Sequence, residues 1–158
     1  MEIRYDDADK SDIEELIELR LAYIQEDFGE TTPEQRVTIR AQLQDYFLRK
    51  LGIELLAFTA RDAGQIIGVA YLQIIEMPAN PNLKEGLYGV VLNVYTEPEY
   101  RGRGICTTLM RNLLDYGRLI GLGRIDLSAT KEGYPIYEKL GFREKDGLYR
   151  EMRYQIRE

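Results

Sequence analysis

Arg101-Gly102-Arg103-Gly104-Ile105-Cys106 sets two cations and two glycines directly ahead of an apolar-periodic stretch, Ile105, Leu109, Met110, Leu113 and Leu114. That spacing predicts a helix ended by Gly121-Leu122-Gly123. The first N–H groups of a helix lack carbonyl partners and sit at its positive pole, so the loop predicts an anion site suited to a pyrophosphate. Gly102 and Gly104 allow close backbone approach, and Arg101 and Arg103 add positive charge. The same residues also describe an ordinary strand–turn–helix with a solvated basic turn. No Gly-Lys-Ser/Thr ending follows, so this is not a Walker loop, and the third glycine of a dinucleotide fingerprint is out of place.

Composition removes other chemistries. The 158 residues contain no histidine and one cysteine. Ser-His-Asp and Cys-His catalysis are excluded, as are histidine and thiolate zinc sites, and no metal is expected. Proton transfer falls to carboxylate, tyrosine, cysteine, lysine, substrate or water. The net charge of −6 argues against nucleic acid and weakly favours cationic partners such as amines. The longest apolar run, Ile66–Ile75, is broken by Gly68, Tyr71 and Gln73, so no membrane partner is expected. Met1–Asp7 does not read as a secretory leader. With no disulfide available, a cytoplasmic location is expected.

The elements that must position the loop read as one domain over residues 1–158. Asp9 or Ser11 caps a first helix with the stripe Ile13, Leu16, Ile17, Leu19, Ala22 and Tyr23. Thr32-Pro33 opens a second, carrying Val37, Ile39, Leu43, Phe47 and Leu51 and stopping near Gly52. Leu55–Arg61 and Gln65–Ile75 form a hairpin around Asp62-Ala63-Gly64. Met77–Glu85 is a loop and Gly86–Tyr95 a third strand. Beyond the loop helix come a strand Arg124–Ala129, a short helix Tyr134–Leu140, and closing strands Phe142–Glu144 and Leu148–Tyr154. This order predicts a mixed sheet with helices on both faces.

The segment Val94-Tyr95-Thr96-Glu97-Pro98-Glu99-Tyr100-Arg101-Gly102-Arg103-Gly104-Ile105-Cys106 resembles motif A of the GNAT acetyltransferases, with Cys106 where that family usually has Gly or Ala. Tyr134-Pro135-Ile136-Tyr137-Glu138-Lys139-Leu140-Gly141-Phe142 resembles its motif B. The order and separation of the two fit, as do the N-terminal helix pair and the hairpin. The resemblance implies an α/β (α+β mixed) fold: a central, mostly antiparallel twisted sheet of six to seven strands flanked by about four helices. It implies direct transfer of an acetyl group from acetyl-CoA, as cosubstrate, to a primary amine, with no metal. Val94, Tyr95 and Thr96 would offer backbone groups to the pantetheine arm. Backbone N–H groups from Gly102 to Thr107 (Gly102, Arg103, Gly104, Ile105, Cys106 and Thr107), with Arg101, would hold the pyrophosphate. Tyr137 matches the tyrosine that often protonates the leaving thiolate, and a phenol titrating near pH ~10 can do so at neutral pH.

No general base is assigned. Ser128 stands where a strand carboxylate is common in the family, with Asp126 on the same strand face, and Thr130, Lys131 and Glu132 replace its frequent asparagine. Water leading to Glu97 or Glu132, or an amine bound neutral, are the alternatives. The tyrosines read mostly as core and rim, with Tyr23, Tyr46, Tyr71 and Tyr88 as candidates for an acceptor cleft. Glu14, Glu15 and Glu18 read as a solvated face. Cys106 reads as a packing residue, its helix-start position being the reason to consider a reactive thiol. The acceptor is expected to be a small-molecule or peptide amine, and oligomeric state, a homodimer included, is open. The rival readings are a non-catalytic acyl-CoA sensor on the same fold and an interaction module without cofactor.

Overall fold

The computed structural model describes residues 2–145 and 147–157. The chain divides into two compact units, one running to Ser128 and the other beginning at Ala129.

The first unit is built on a five-stranded sheet in the order β1-β2-β3-β4-β5, comprising β1 (Arg4–Asp7), β2 (Leu55–Asp62), β3 (Gln65–Glu76), β4 (Leu87–Thr96) and β5 (Ile125–Asp126). β1 through β4 pair antiparallel and β5 joins β4 in parallel. The β2–β3 hairpin turns on Ala63 and Gly64, both at positive φ (49° and 85°), the geometry that matches the twist of its strands. The expected six to seven strands are thus five among the described residues. β1 is an addition to the expected set, and the strand expected over Arg124–Ala129 shrinks to Ile125–Asp126. Phe142–Glu144 and Leu148–Tyr154 form no strand, and the side chains of Leu148, Tyr149, Met152 and Tyr154 are largely exposed, without the half-buried face that stabilises a strand.

Two helices cover one face: α1 (Ile13–Phe28) and α2 (Pro33–Lys50). Asp9 caps a 3-10 turn, Lys10–Asp12, that leads into α1. Thr32 accepts from the Gln35 N–H while the Gln35 side chain accepts from the Thr32 N–H, and Pro33 needs no donor. Ile13, Leu16, Ile17 and Leu19 pack with Leu43, Phe47 and Leu51 against Leu55, Ala57, Val69, Tyr71 and Tyr95. Truncating one of these, Leu16→Ala for example, would cost about 2–5 kcal/mol. Val37, expected in that stripe, is 71% exposed. Ile39, Leu43, Phe47 and Leu51 recur every fourth residue, and Val37 lies off that row. Glu14 and Glu18 do face solvent, paired with Arg40 of α2. Glu15 departs from that expectation, since its Oε2 accepts from the Ile66 N–H at 2.9 Å and ties α1 to the start of β3.

α3 (Ile105–Ile120) lies on the opposite face and links β4 to β5. Gly68 permits its seating, because a Cβ there would stand 3.2 Å from Ile105 Cγ2. Tyr116 meets Phe58 edge-on, with ring centroids 5.8 Å apart. The second unit contains α4 (Tyr134–Leu140), stopped by Gly141 in the left-handed region.

A candidate cosubstrate and acceptor site on the fourth strand

β4 is bulged. Ala70 pairs with Val94 and Leu72 with Val91, so Leu92 and Asn93 together oppose Tyr71. The extra residue changes which amides face which neighbour. Gly89 donates to Arg124 on the β5 side, whereas Glu97, beyond the bulge, donates to Ile67 on the β3 side, both near 3.0 Å (3.0 and 2.9 Å). Alternation back from Glu97 sends the Tyr95 amide to β3 and turns those of Val94 and Thr96 to the other edge. β5 pairs only with Gly89 and Val90, so past Val90 no described strand partners that edge. Of the three strand residues expected to offer backbone groups, Val94 and Thr96 reach the open edge. Tyr95 instead buries its ring under α1.

The loop follows directly. Pro98–Tyr100 makes one 3-10 turn, pinned to the hairpin by the Tyr100 hydroxyl, which donates to Asp62 Oδ2 at 2.6 Å. Gly102 and Gly104 have φ of 79° and 78°. Apart from the adjoining residues, no atom of the described residues lies within 4 Å of a Cβ built on either, so the space beside them is open. The first α-helical bond runs from the Thr108 N–H to the Gly104 carbonyl at 3.1 Å. The N–H groups of Ile105, Cys106 and Thr107 therefore precede the ladder and form the donor end of a sixteen-residue helix. This cradle of backbone donors, with glycines at its rim, fits a pyrophosphate.

The two arginines are engaged within the protein. Arg101 donates from Nε to the Thr96 carbonyl and from both Nη atoms to Glu26, and lies over the Tyr95 ring. Arg103 donates to the Glu99 carbonyl and lies over Tyr100. Cys106 is half-buried, and burial pushes its thiol above the ordinary value. Desolvation acts against the helix-start argument for a reactive thiolate. Burial, then the nearby Glu99, raises the Glu97 carboxyl, so it holds a proton more readily than an ordinary carboxylate. Among the described residues no group of three or more Asp, Glu or Cys is placed to hold a metal.

On the α1–α2 face two cavities meet Arg20. The larger, about 690 Å³, includes Ile24, Phe28, Glu30 and Glu34. The smaller, about 190 Å³, includes Tyr46, Phe47, Tyr71 and Asn93. Tyr46 and Tyr71 line the smaller cavity. Tyr23 instead donates to Asp27 and packs under Arg20, and Tyr88 lies beneath Arg124. Arg20 and Asn93 are absent from the sequence-derived candidates. Asp126 receives Arg124 Nε at 3.2 Å, and Ser128 is exposed beyond the end of β5.

In the second unit Tyr137 is half-buried, edge-on to Phe142 at 6.0 Å. Glu132 is exposed.

Comparison with known proteins places this geometry. Residues 14–142 match the acetyltransferase (GNAT) family. The chain belongs to the GNAT family. Over 97 residues it is 33% identical to a glucosamine 6-phosphate N-acetyltransferase of Trypanosoma brucei brucei, a match spanning 60% of this chain and 63% of that relative's length. A predicted acetyltransferase from Clostridium acetobutylicum, solved with acetyl-CoA, superposes with a TM-score of 0.79 at 27% identity, covering 96% of each chain. An acetyltransferase of Trypanosoma brucei superposes at 0.71 with 25% identity, over 98% of this chain and 100% of that one. The bulged fourth strand, the glycine loop and the helix behind it all lie within the matched span. No helix among the described residues is long and apolar enough to cross a membrane.

Proposed function

We propose that the whole chain works as one acetyl-CoA-dependent N-acetyltransferase, acting by direct transfer on a primary amine carried by a small molecule or peptide. The observation that carries this reading is the loop Arg101–Cys106. Two positive-φ glycines clear the approach to the free N–H groups of Ile105, Cys106 and Thr107 at the start of α3. Those groups, with Gly102 to Gly104, would hold the pyrophosphate, and the outward Val94 and Thr96 amides would receive the pantetheine arm. Acetyl-CoA supplies a thioester, whose acetyl carbon bonds to the amine nitrogen as the carbon–sulfur bond breaks.

The residues contribute position and protons. An outward β4 amide can polarise a carbonyl held at the open edge, and holding both reactants there supplies proximity. The Tyr137 phenol would give a proton to the departing sulfur. Glu97, its carboxyl raised by burial, follows the last residue of β4 and would accept the amine proton through water, with Glu132 or an amine bound neutral as the alternatives.

A thermal melt tests the loop. At ~100 times its dissociation constant, acetyl-CoA should add roughly 2.7 kcal/mol of stability. Gly104→Val should abolish the shift, because a β-branched residue resists this φ and its methyls crowd the phosphate's approach. A wild-type protein that does not shift at millimolar acetyl-CoA would sink the reading. A shift without release of free thiol across a broad amine panel, amino-sugar phosphates included, would make the chain a sensor instead.

A further inference from the structure

The smaller cavity is built from hydrogen-bond donors. Tyr71 and Asn93 are only 2% and 8% exposed, yet Tyr71 Oη and Asn93 Nδ2 have no hydrogen-bond partner among the described residues. Buried polar groups are otherwise almost always satisfied. Arg20 Nη1 donates to Asn93 Oδ1 at 2.6 Å, which fixes the amide with Nδ2 as the group left over. The Arg20 guanidinium has no carboxylate partner among the described residues, and its other contact is the Tyr23 ring beneath it. Tyr71 is stacked on Phe47, centroids 5.8 Å apart and 19° from parallel, so its hydroxyl is held in place. Burial pushes its phenol well above the ordinary value, which keeps it protonated and able to donate.

Three side chains from α1, β3 and the β4 bulge thus offer donors to one space of about 190 Å³. A second cation would be repelled by Arg20, and an apolar group would leave both orphan donors unmet. An oxyanion answers all three, and a guanidinium is suited to hold it by paired hydrogen bonds. Asn93 directly precedes Val94, whose amide turns to the open edge, so a group anchored here belongs to the molecule that approaches that edge.

We propose that Arg20, Tyr71 and Asn93 form an oxyanion subsite for the acceptor, which is a primary amine that also carries a carboxylate or phosphate. This assignment rests on the acetyltransferase reading above.

The test uses the full chain and matched amines: ω-amino carboxylates, their neutral amides, aminoalkyl phosphates, and plain alkylamines of the same length. Free-thiol release with acetyl-CoA gives kcat/KM, and calorimetry gives affinity for each amine independently of turnover. The expected result is a preference of at least tenfold for one oxyanion class over both neutral sets. Whether carboxylate or phosphate wins identifies the source of the charge. Arg20→Gln should raise KM for that class at least tenfold and erase the preference, while the acetyl-CoA melting shift persists. Tyr71→Phe should weaken the same amines without lowering the melting temperature, because it deletes a hydroxyl that has no partner among the described residues. A purely structural tyrosine would show the opposite pattern. Equal or better use of neutral amines, failure of every oxyanion amine to bind, or an unchanged preference in Arg20→Gln would each overturn the subsite. Loss of the wild-type acetyl-CoA shift would instead overturn the parent reading.

Discussion

Arg101 grips the Glu26 carboxylate with both Nη atoms, at 2.8 and 2.7 Å, while its Nε holds the Thr96 carbonyl at 2.8 Å. One side chain therefore ties the end of α1 to the last residue of β4 and to the glycine loop. The pair is roughly half exposed, 43% and 51%, so it contributes no more than about 1 kcal/mol to folding. A phosphate can replace the carboxylate at small cost. Arg101→Met should leave the melting temperature nearly unchanged and weaken acetyl-CoA about tenfold, roughly 1.4 kcal/mol. Glu26→Gln should leave affinity equal or improve it, since the guanidinium is released toward the phosphate. Calorimetry on both variants decides; equal weakening in the two would make the pair a brace for the loop rather than a reserve of charge.

A second arginine holds the opposite edge of the sheet. Arg61, its side chain 9% exposed, donates to Asp6 of β1 and to Asp12 ahead of α1. Burial alone would raise the Asp6 carboxyl, but hydrogen bonds from Thr59 and Arg61 hold it below its usual range. A depressed carboxylate stabilises the fold above its unfolded value near pH ~3.9, and that contribution is lost as pH falls through the folded value. Arg61→Met should cost roughly 2–4 kcal/mol at pH 7, somewhat under a fully buried pair because Asp6 is 35% exposed. The deficit should narrow as pH falls below ~4 in denaturant titrations. A constant gap across that range would rule out Asp6 as the titrating partner.

Cys106 offers a check on the loop's electrostatics. Burial raises its thiol, whereas a free thiol titrates near pH ~8.5. Alkylation by iodoacetamide should be slower than for free cysteine at pH 7.5, and its rate should still climb beyond pH ~8.5. Intact mass spectrometry after turnover should show no acetyl adduct. Fast alkylation at neutral pH, or a stable acetyl-cysteine, would restore the reactive-thiol reading.

Legibility in the sequence followed how local each signal was. α3 and its loop are visible because Ile105, Leu109, Met110 and Leu113 repeat on one helix face and all are buried. The caps at Asp9 and Thr32 and the Ala63-Gly64 turn are equally local. β1 is different: Arg4-Tyr5-Asp6-Asp7 is a short, charged edge strand, fixed by Asp6 meeting a residue of β2 far along the chain. Arg20 and Asn93 were invisible for the same reason. Each looks like a surface polar residue until the bulge turns Asn93 inward and α1 lays Arg20 across it. Glu15 reads as one of a run of solvated acids until the start of β3 presents the Ile66 amide.

The proposed acid, Tyr137, is testable by a change that keeps its packing. Its ring stands edge-on to Phe142 and so close to Gly133 that a Cβ there would come within 2.7 Å of its Cε2. Tyr137→Phe preserves that ring and deletes the hydroxyl. Acetyl-CoA affinity should therefore hold, and kcat should fall by roughly 10²–10⁴-fold if the phenol supplies the whole proton transfer. A thiol with a pKa near ~8.5 is already a fair leaving group, which favours the lower end of that range. Rates should be compared with an accepted amine at saturating acetyl-CoA, alongside calorimetry on both proteins. Unchanged kcat would leave Tyr137 as a packing residue of α4. Weaker acetyl-CoA binding at constant kcat would mean that the hydroxyl only positions the sulfur. A fall in kcat at constant affinity is the one pattern that places the missing proton in the reaction itself.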